Sequence, residues 1–240
     1  MQKVATVEAD FTQEVITTGN PEIDKKMGGG IPLGSLTMVE GPSDSGKSVL
    51  LQQMIWGSLN SGHRVRVFTT ENTVKSLARQ MGSLGLDVVD YFLLGRLKVR
   101  PLRSSQQTSE SINGLHSLLH AISQEGTGIV FVDSLTGFVM HSPREETMDF
   151  FEGCKSYCNV GRTVVCTLHS AACEESTIIR VRSMCDAHLR LSIEAVGEQL
   201  VKTLEVAKIK GAERGTGNIL SFDVEPRMGM RIIPVMKAKA

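Results

Sequence analysis

Residues 41 to 48 have the types and spacing of a phosphate-binding loop. They read Gly-Pro-Ser-Asp-Ser-Gly-Lys-Ser, which is the complete pattern G-x-x-x-x-G-K-[ST]. In this pattern backbone N–H groups turn towards an anionic β-phosphate, the lysine reaches the β- and γ-phosphates, and the serine hydroxyl ligates Mg²⁺. The candidate nucleotide-contacting residues are therefore Gly41, Pro42, Ser43, Asp44, Ser45, Gly46, Lys47 and Ser48, and Ser48 is also a candidate metal ligand.

The segments on either side of this loop decide between a nucleotide site and a chance Gly-Ser turn. Residues 35–40 are rich in β-forming types and end at Gly41. Apolar residues then recur with helical spacing up to about Asn60, at Val49, Leu50, Met54, Ile55 and Leu59. This order places the phosphates at a helix N-terminus, where unpaired N–H groups and the helix dipole favour negative charge. Both flanks thus favour a nucleotide site.

A second candidate site residue ends a short apolar run downstream. Residues 129–133 read Ile-Val-Phe-Val-Asp, four apolar residues followed by an acid. In nucleotide sites such an aspartate lies at the carboxyl end of a central strand beside the phosphate loop and holds Mg²⁺, directly or through water. The alternative is an aspartate that caps the segment after the strand. Because a complete phosphate loop precedes it, we predict that Asp133 is a metal ligand.

Glu71 is the candidate catalytic residue. Hydrolysis needs a carboxylate that orients and deprotonates a water in line with the γ-phosphate. Glu71 ends the predicted strand that follows the helix after the phosphate loop, although it could instead be an acidic residue at the N-terminus of the next helix. Thr167 and His169, at the end of a later strand, could sense the γ-phosphate or have an ordinary polar role at a strand end.

The segments that must position these residues alternate between β-rich and helical patterns. Strands are predicted at residues 65–70, 92–99, 129–133 and 162–168, and helices at 74–84, 109–123 and 144–157. After residue 187 the pattern changes to strands separated by short turns, at 188–193, 201–209, 219–224 and 230–235. These patterns predict an α/β fold with a mostly parallel central sheet flanked by helices and with antiparallel C-terminal strands. We expect one domain over residues 15–236, after a flexible segment of residues 1–14.

Composition and charge restrict the class of protein. The chain of 240 residues is 41% hydrophobic and 22% charged, which is ordinary for a globular domain. A formal net charge of +0 and only 5% aromatic residues argue against a nucleic-acid partner. The first residues lack the apolar core of a signal peptide, and no apolar run reaches the ~18 residues of a membrane span, so we expect a cytosolic protein.

The cysteines and histidines do not form a metal-binding pattern. Five cysteines without a C-x-x-C pair suit reduced thiols, and we expect them to be small buried residues, although Cys154 and Cys158 have the spacing to share a metal. His116 and His120 are also four residues apart, but the sequence offers them no third ligand, so we do not expect a metal site there.

Further segments resemble the RecA-like ATPases of the KaiC group. Ahead of the loop lie residues 17–24, Thr-Thr-Gly-Asn-Pro-Glu-Ile-Asp, and residues 28–34, Gly-Gly-Gly-Ile-Pro-Leu-Gly. The resemblance continues at residues 70–72, 132–135 and 208–211, so it covers nearly the whole chain. Within the group the chain most resembles the FlaH family of archaellum accessory proteins, on the strength of its length of one ATPase domain and of its ending Val-Glu-Pro-Arg-Met-Gly-Met at residues 224–230.

This resemblance implies a protein that binds ATP and Mg²⁺ and forms a homo-oligomer, a hexameric ring. It also implies a location at the cytoplasmic side of the archaellum motor, with the motor ATPase FlaI and a membrane-anchored ring protein as partners. Contact with the membrane would then occur through these partners only.

Two positions depart from the KaiC pattern. In the KaiC group two adjacent glutamates stand where this chain has Glu71 and Asn72. In the same group a Lys-x-Arg motif reaches the phosphates of a neighbouring subunit. Here that motif appears as residues 208–210, Lys-Ile-Lys. The resemblance makes Lys208 and Lys210 candidate nucleotide contacts from the next subunit, although both could be solvated charges at a sheet edge. Lysine lacks the bidentate fork of arginine, and an arginine finger can contribute ~10³–10⁵ in rate, so we expect weak hydrolysis.

The sequence leaves three functions open. The first, which we favour, is an assembly and regulatory protein gated by ATP, and the second is an active KaiC-like ATPase or signalling protein. The third is a RecA-like DNA-binding ATPase, which has only the fold in its favour. Measured turnover separates the first two, and a salt-dependent DNA shift assay tests the third.

Overall fold

A large twisted sheet forms the centre of the protein. The computed structural model describes residues 14–102, 114–126, 128–197, 199–212, 215 and 217–234. Within these residues the central sheet has nine strands, in the spatial order β11-β10-β9-β8-β3-β7-β6-β4-β5. They are β3 (Leu36–Gly41), β4 (Val65–Thr69), β5 (Leu97–Pro101), β6 (Ile129–Asp133), β7 (Thr163–His169), β8 (Ala187–Val196), β9 (Gln199–Ile209), β10 (Ile219–Glu225) and β11 (Gly229–Ile233). Two short strands before them, β1 (Val15–Ile16) and β2 (Ile31–Pro32), pair with each other.

The sheet is parallel on one side and antiparallel on the other. Along the sheet, the neighbouring strands β5, β4, β6, β7, β3 and β8 pair in parallel. The remaining neighbours, β8, β9, β10 and β11, pair in antiparallel orientation. Strands β3 and β6 are buried at every position, as expected for strands covered by helices on both faces. The predicted fold class is therefore confirmed.

Helices cover both faces of the sheet. They are α1 (Pro21–Lys26), α2 (Lys47–Asn60), α3 (Val74–Ser83), α4 (Val89–Leu93), α5 (Gly114–Ser123), α6 (Thr136–Val139), α7 (Arg144–Asn159) and α8 (Glu175–Met184). One apolar cluster packs α2 and α3 against Val39 and Val67, and a second packs α5, α7 and α8 against Met38 and Phe68. Neighbouring residues of a strand face opposite clusters, as the two-residue period of a strand requires.

The structure corrects one predicted element and adds others. A strand was predicted at residues 92–99, but residues 89–93 form helix α4, and the strand begins only at Leu97. The apolar run is interrupted at Gly95, whose φ of 66° lies in the left-handed region. Helix α8 was not predicted. The predicted helix at 109–123 is confirmed over α5, and residues 109–113 lie outside the described part of the chain.

Four of the five cysteines lie in the second apolar cluster, at Cys154, Cys158, Cys166 and Cys185. Burial raises the pKa of each of these thiols. Their prediction as small buried residues is confirmed, whereas Cys173 is only half-buried. None of the helices in the described ranges is long and apolar enough to cross a membrane.

Candidate nucleotide-binding site

The phosphate loop lies at the carboxyl edge of the parallel strands, between the end of β3 and the start of α2. Gly46, directly before the helix, has a φ of 97°, a conformation that glycine adopts without strain. A Cβ on Gly41 would lie 2.7 Å from Leu191 O and from Ser45 Oγ, so only glycine fits where the loop passes β8. Both glycines of the motif are thus required by the backbone.

Hydrogen bonds within the loop curl it around Pro42. The carbonyl oxygen of Pro42 accepts from Ser45 Oγ at 2.8 Å and from Lys47 Nζ at 2.6 Å. Burial lowers the pKa of Lys47, and the negative charges of Glu71 and Asp133 offset part of that effect. The ammonium therefore lies in a partly desolvated place where it can bind phosphate strongly.

Asp133 lies beside the loop at the end of β6. It is 3% exposed, and its Oδ1 accepts from Thr167 Oγ1 at 2.8 Å and from Ser48 Oγ at 3.2 Å. Burial, together with the charge of Glu71, raises the pKa of Asp133 to about 6. A buried carboxylate whose hydrogen-bond partners are neutral hydroxyls, next to a serine of the loop, has the oxygen donors and the charge that Mg²⁺ prefers. Both predicted metal ligands are therefore brought together.

Glu71 lies three residues before the start of α3 and borders the same cavity. Ser134 Oγ donates to Glu71 Oε1 at 3.4 Å. The cap of α3 is formed by Thr73, whose Oγ1 accepts from the backbone N–H of Ser76 at 3.1 Å. Because another residue caps the helix, the carboxylate of Glu71 is left facing the cavity, where a catalytic base would be needed.

The cavity at the loop has a volume of about 500 Å³. Its walls come from the phosphate loop, from α3 and the segment before it, from the ends of β6 and β7, and from β9 and β10. The lining residues are Ser43, Asp44, Gly46, Lys47, Ser48, Val49, Glu71, Asn72, Gln80, Ser134, Thr136, His169, Lys202 and Val224. Of the other loop residues, Gly41, Pro42 and Ser45 shape the loop rather than line the cavity.

Lys202 is a site residue that the sequence did not indicate. It lies on β9 opposite Ile193 and Phe222, and the ring of Phe222 packs against Gly46. The long β8–β9 hairpin extends past the end of β3 and so places a second lysine in the cavity with Lys47. Only the register of this hairpin brings Lys202 there, and no local motif marks it.

Thr167 and His169, the two candidate sensors of the γ-phosphate, have different environments. Thr167 is fully buried, and its hydroxyl is used to orient Asp133. His169 lines the cavity, and its Nδ1 accepts from the backbone N–H of Ala171 at 3.0 Å, which leaves Nε2 protonated in the neutral ring. Of the pair, His169 is the residue that can donate to a ligand in the cavity.

Lys208 and Lys210 lie at the opposite edge of the sheet. Lys208 pairs with His188, and Lys210 Nζ lies 3.4 Å from Asp186 Oδ1, beside the start of β3. Lys208 Nζ donates to the carbonyl oxygens of Arg182 at 2.9 Å and Ser183 at 3.4 Å. The phosphate loop follows the other end of β3, so neither lysine can contact the nucleotide of its own chain. A contact with a neighbouring subunit's nucleotide stays a prediction.

Comparison with known proteins places the chain in a family. The model of the KaiC ATPase family matches residues 16–237. The archaeal flagellar ATP-binding protein FlaH of Sulfolobus acidocaldarius is 31% identical over 229 residues, which cover 94% of this chain and 100% of that protein. The chain belongs to the FlaH family of KaiC-like ATPases. FlaH of Methanocaldococcus jannaschii is 25% identical over 90% of this chain and 94% of its own length.

Solved structures show the same fold as this FlaH-family chain. The crystal structure of the flagellar accessory protein FlaH from Methanocaldococcus jannaschii superposes with a TM-score of 0.82 at 23% identity, covering 93% of this chain and 100% of that one. A KaiC-like protein from Pyrococcus horikoshii gives a TM-score of 0.73 at 18% identity, covering 92% and 100%. The resemblance stated from the sequence is confirmed for the family and for the fold.

Proposed function

We propose that this protein is an accessory component of the archaellum that binds ATP with Mg²⁺ and assembles into a ring when ATP is bound. The observation that carries the proposal is the contact of Ser48 with Asp133 at the phosphate loop, which joins the two predicted metal ligands. Membership of the FlaH family supports the archaellum role, because its relatives are archaeal flagellar ATP-binding proteins.

Different residues of the cavity bind the phosphates and the metal ion of Mg²⁺-ATP. The backbone N–H groups at the start of α2 and the ammonium of Lys47 bind the phosphates, and Lys202 adds positive charge from the β9 side. Ser48 and Asp133 hold Mg²⁺, which when bound neutralises part of the phosphate charge. His169 donates from Nε2 towards the phosphate end of the ligand.

Hydrolysis is slow in this proposal because the catalytic groups are few. Glu71 accepts the proton of the attacking water, but Asn72 supplies an amide where the KaiC group has a second carboxylate. The cations from the next subunit are Lys208 and Lys210, which lack the fork of an arginine. The nucleotide then acts mainly as a ligand that stabilises assembly, and hydrolysis resets it.

The assembly is a homo-oligomer, a hexameric ring, in which ATP lies between subunits. Lys208 and Lys210 of one subunit contact the γ-phosphate held by Lys47 of the next. A ligand shifts an equilibrium only by its different affinity for the two states, so ATP favours the ring more than ADP does. The ring binds the motor ATPase FlaI and an archaellum ring protein at the cytoplasmic side of the motor, without a nucleic-acid partner.

Light scattering at matched protein concentration, with ATP, with ADP and without nucleotide, tests the ring. We expect ATP to promote assembly of the wild type, and the double variant Lys208→Ala, Lys210→Ala to lose this response although its monomer still binds ATP. The double variant Lys25→Ala, Lys26→Ala removes two exposed lysines elsewhere and should assemble normally. Assembly of the first variant at the wild-type level would contradict the role of these lysines across the interface.

A pull-down with purified FlaI under the same three nucleotide conditions tests the partner. We expect capture to be strongest with ATP, in step with assembly. A protein that assembles with ATP but never captures FlaI would contradict the partner, and one that binds ATP but never assembles would contradict the ring.

An active KaiC-like ATPase is the second candidate, because the carboxylate of Glu71 borders the cavity in the place of a catalytic base. Turnover measured with Mg²⁺, with and without FlaI, separates the two. Turnover of at least about 1 s⁻¹ without a partner, the ordinary range of enzymes, would favour energy transduction over the assembly role.

A further inference from the structure

A buried ion cluster lies directly before the phosphate loop and takes no part in the nucleotide site described above. Glu40, the residue before Gly41, is 1% exposed. Its carboxylate accepts two hydrogen bonds from the guanidinium of Arg182 on α8, from Nε at 2.9 Å and from Nη2 at 2.6 Å. Nε2 of His188, on β8, lies 2.9 Å from the same carboxylate. The chain that enters the loop is therefore tied to α8 by one buried side chain.

The partners of Glu40 keep it ionised and oriented. Burial alone would raise the pKa of Glu40, but hydrogen bonds from His188 and Arg182 outweigh that effect and bring the pKa to about 2. Arg182 also donates from Nη1 to Glu175 at 2.9 Å, so its guanidinium is held on two sides. A two-pronged contact between arginine and carboxylate sets an angle as well as a distance.

A stabilising role alone does not account for this cluster. Apolar residues of the same volume are often at least as stabilising as a buried ion pair. The position of the cluster, at the last residue before the phosphate loop, points to a role in linking the loop to α8.

The backbone carbonyl group of Arg182 also accepts a hydrogen bond, from Lys208. Lys208 Nζ donates to the carbonyl oxygens of Arg182 and Ser183, which lie in the last turn of α8. A cation is favourable at this end of a helix because the last carbonyl groups carry negative partial charge. Arg182 thus connects the loop entry, through its side chain, with Lys208, through its carbonyl group.

We propose that Arg182 is a positioning residue that couples the nucleotide sites of neighbouring subunits, an inference that rests on the proposed role of Lys208 across the subunit interface. When Lys208 moves from α8 to the nucleotide of the next subunit, the carbonyl groups at the helix end lose their cation. Arg182 transmits the resulting shift of the helix end to Glu40 and the phosphate loop. Occupancy of one site thereby changes the affinity of its neighbour, which is a coupling free energy between sites.

The variant Arg182→Lys tests this link, because lysine keeps the charge but cannot make the two-pronged contact. Arg180→Lys, an exposed residue on the same helix, is the matched control. Binding of a fluorescent ATP analogue to the full chain is measured at a dilution where it is monomeric and at a concentration where light scattering shows assembly. We expect wild type and Arg180→Lys to bind cooperatively when assembled, with a Hill coefficient above about 1.5, and Arg182→Lys to fall to about 1.

The monomer measurement separates coupling from a local effect, since Arg182→Lys should keep a monomer affinity within about threefold of wild type. Cooperativity retained in Arg182→Lys would overturn the inference, and so would an equal loss of affinity in monomer and assembly. Glu40→Gln, which keeps the shape of the side chain, should also abolish cooperativity and serves if Arg182→Lys does not fold. A wild type that assembles without cooperativity overturns this inference alone, whereas a wild type that never assembles with ATP rejects the proposed ring as well.

Discussion

Ser48 Oγ donates a hydrogen bond of 3.2 Å to Asp133 Oδ1, and so joins the phosphate loop to the end of β6 across 85 positions of sequence. Thr167 donates to the same oxygen at 2.8 Å from the neighbouring strand β7. These contacts hold a buried carboxylate beside the loop that we propose to bind the phosphates. We expect Lys47 and Asp133 to make separate, measurable contributions to ATP binding.

We expect the loss of the Asp133 charge to weaken ATP binding through the loss of a Mg²⁺ ligand. We expect Asp133→Asn to weaken ATP binding in Mg²⁺ more than ATP binding in a chelator, because the lost charge interacts with the cation. Equilibrium titration of a fluorescent ATP analogue in both buffers measures the difference. Equal losses in the two buffers would indicate that Asp133 has a structural role only.

The raised pKa of Asp133 gives the stability a pH dependence of defined sign. The pKa rises from 3.8 to about 6 through burial and the charge of Glu71. Between pH 3.8 and about pH 6, Asp133 keeps its proton in the folded protein but has lost it in the unfolded chain. The contribution of Asp133 to stability therefore falls as the pH rises through this range. In Mg²⁺-free buffer at pH 7, Asp133→Asn should be more stable than wild type, by up to about 3 kcal/mol.

Urea denaturation of both proteins at pH 7 and again below about pH 3 measures this effect. The advantage of the variant should vanish at the lower pH, where Asp133 is protonated in both states. An advantage that is the same at both pH values would show that the charge of Asp133 is not its cause.

Lys47→Ala should remove most of the ATP affinity without unfolding the protein. The loss of a charge-assisted contact to phosphate corresponds to about 1.5–3 kcal/mol, or roughly 10- to 150-fold in Kd. Binding of the fluorescent analogue measures it, with circular dichroism as the check on folding. Lys75→Ala, at an exposed position on α3, is the control that should bind normally. Wild-type affinity in a folded Lys47→Ala protein would reject the loop as the phosphate site.

Glu71→Gln should separate binding from turnover. The amide keeps the size of the side chain but cannot accept the proton of the attacking water, so we expect ATP affinity within about twofold of wild type and no residual hydrolysis. Phosphate release over long incubations measures the turnover, and Glu145→Gln on the exposed start of α7 is the matched control. Unchanged turnover would mean that the general base is another residue.

Lys202→Ala tests a residue found only in the structure. Lys202 lines the cavity together with Lys47, so we expect its removal to weaken ATP binding by about 3- to 10-fold, a smaller loss than for Lys47→Ala. Lys98→Ala, exposed on the far edge strand β5, should have no effect. Affinity unchanged in Lys202→Ala would place the phosphates out of its reach.

The elements that local patterns mark most clearly are those that were predicted correctly. The apolar runs of β3 and β6 and the helical spacing of α2 agree with the structure. The error at residues 92–99 arose because an apolar run of a few residues is compatible with a short helix or with a strand. Tertiary packing decided the matter, since Phe92 packs against the core from a helical turn that ends before Gly95.

The sequence by itself determined the phosphate loop, because its eight residues are contiguous and act through their own backbone and one lysine. It also determined the parallel α/β order, which follows from the alternation of strand and helix patterns. Only the tertiary structure decided which distant side chains complete the site. Strand order brings Asp133 to Ser48, hairpin register brings Lys202 into the cavity, and strand direction keeps Lys208 away from it. These relations depend on non-local pairing, which no local pattern encodes.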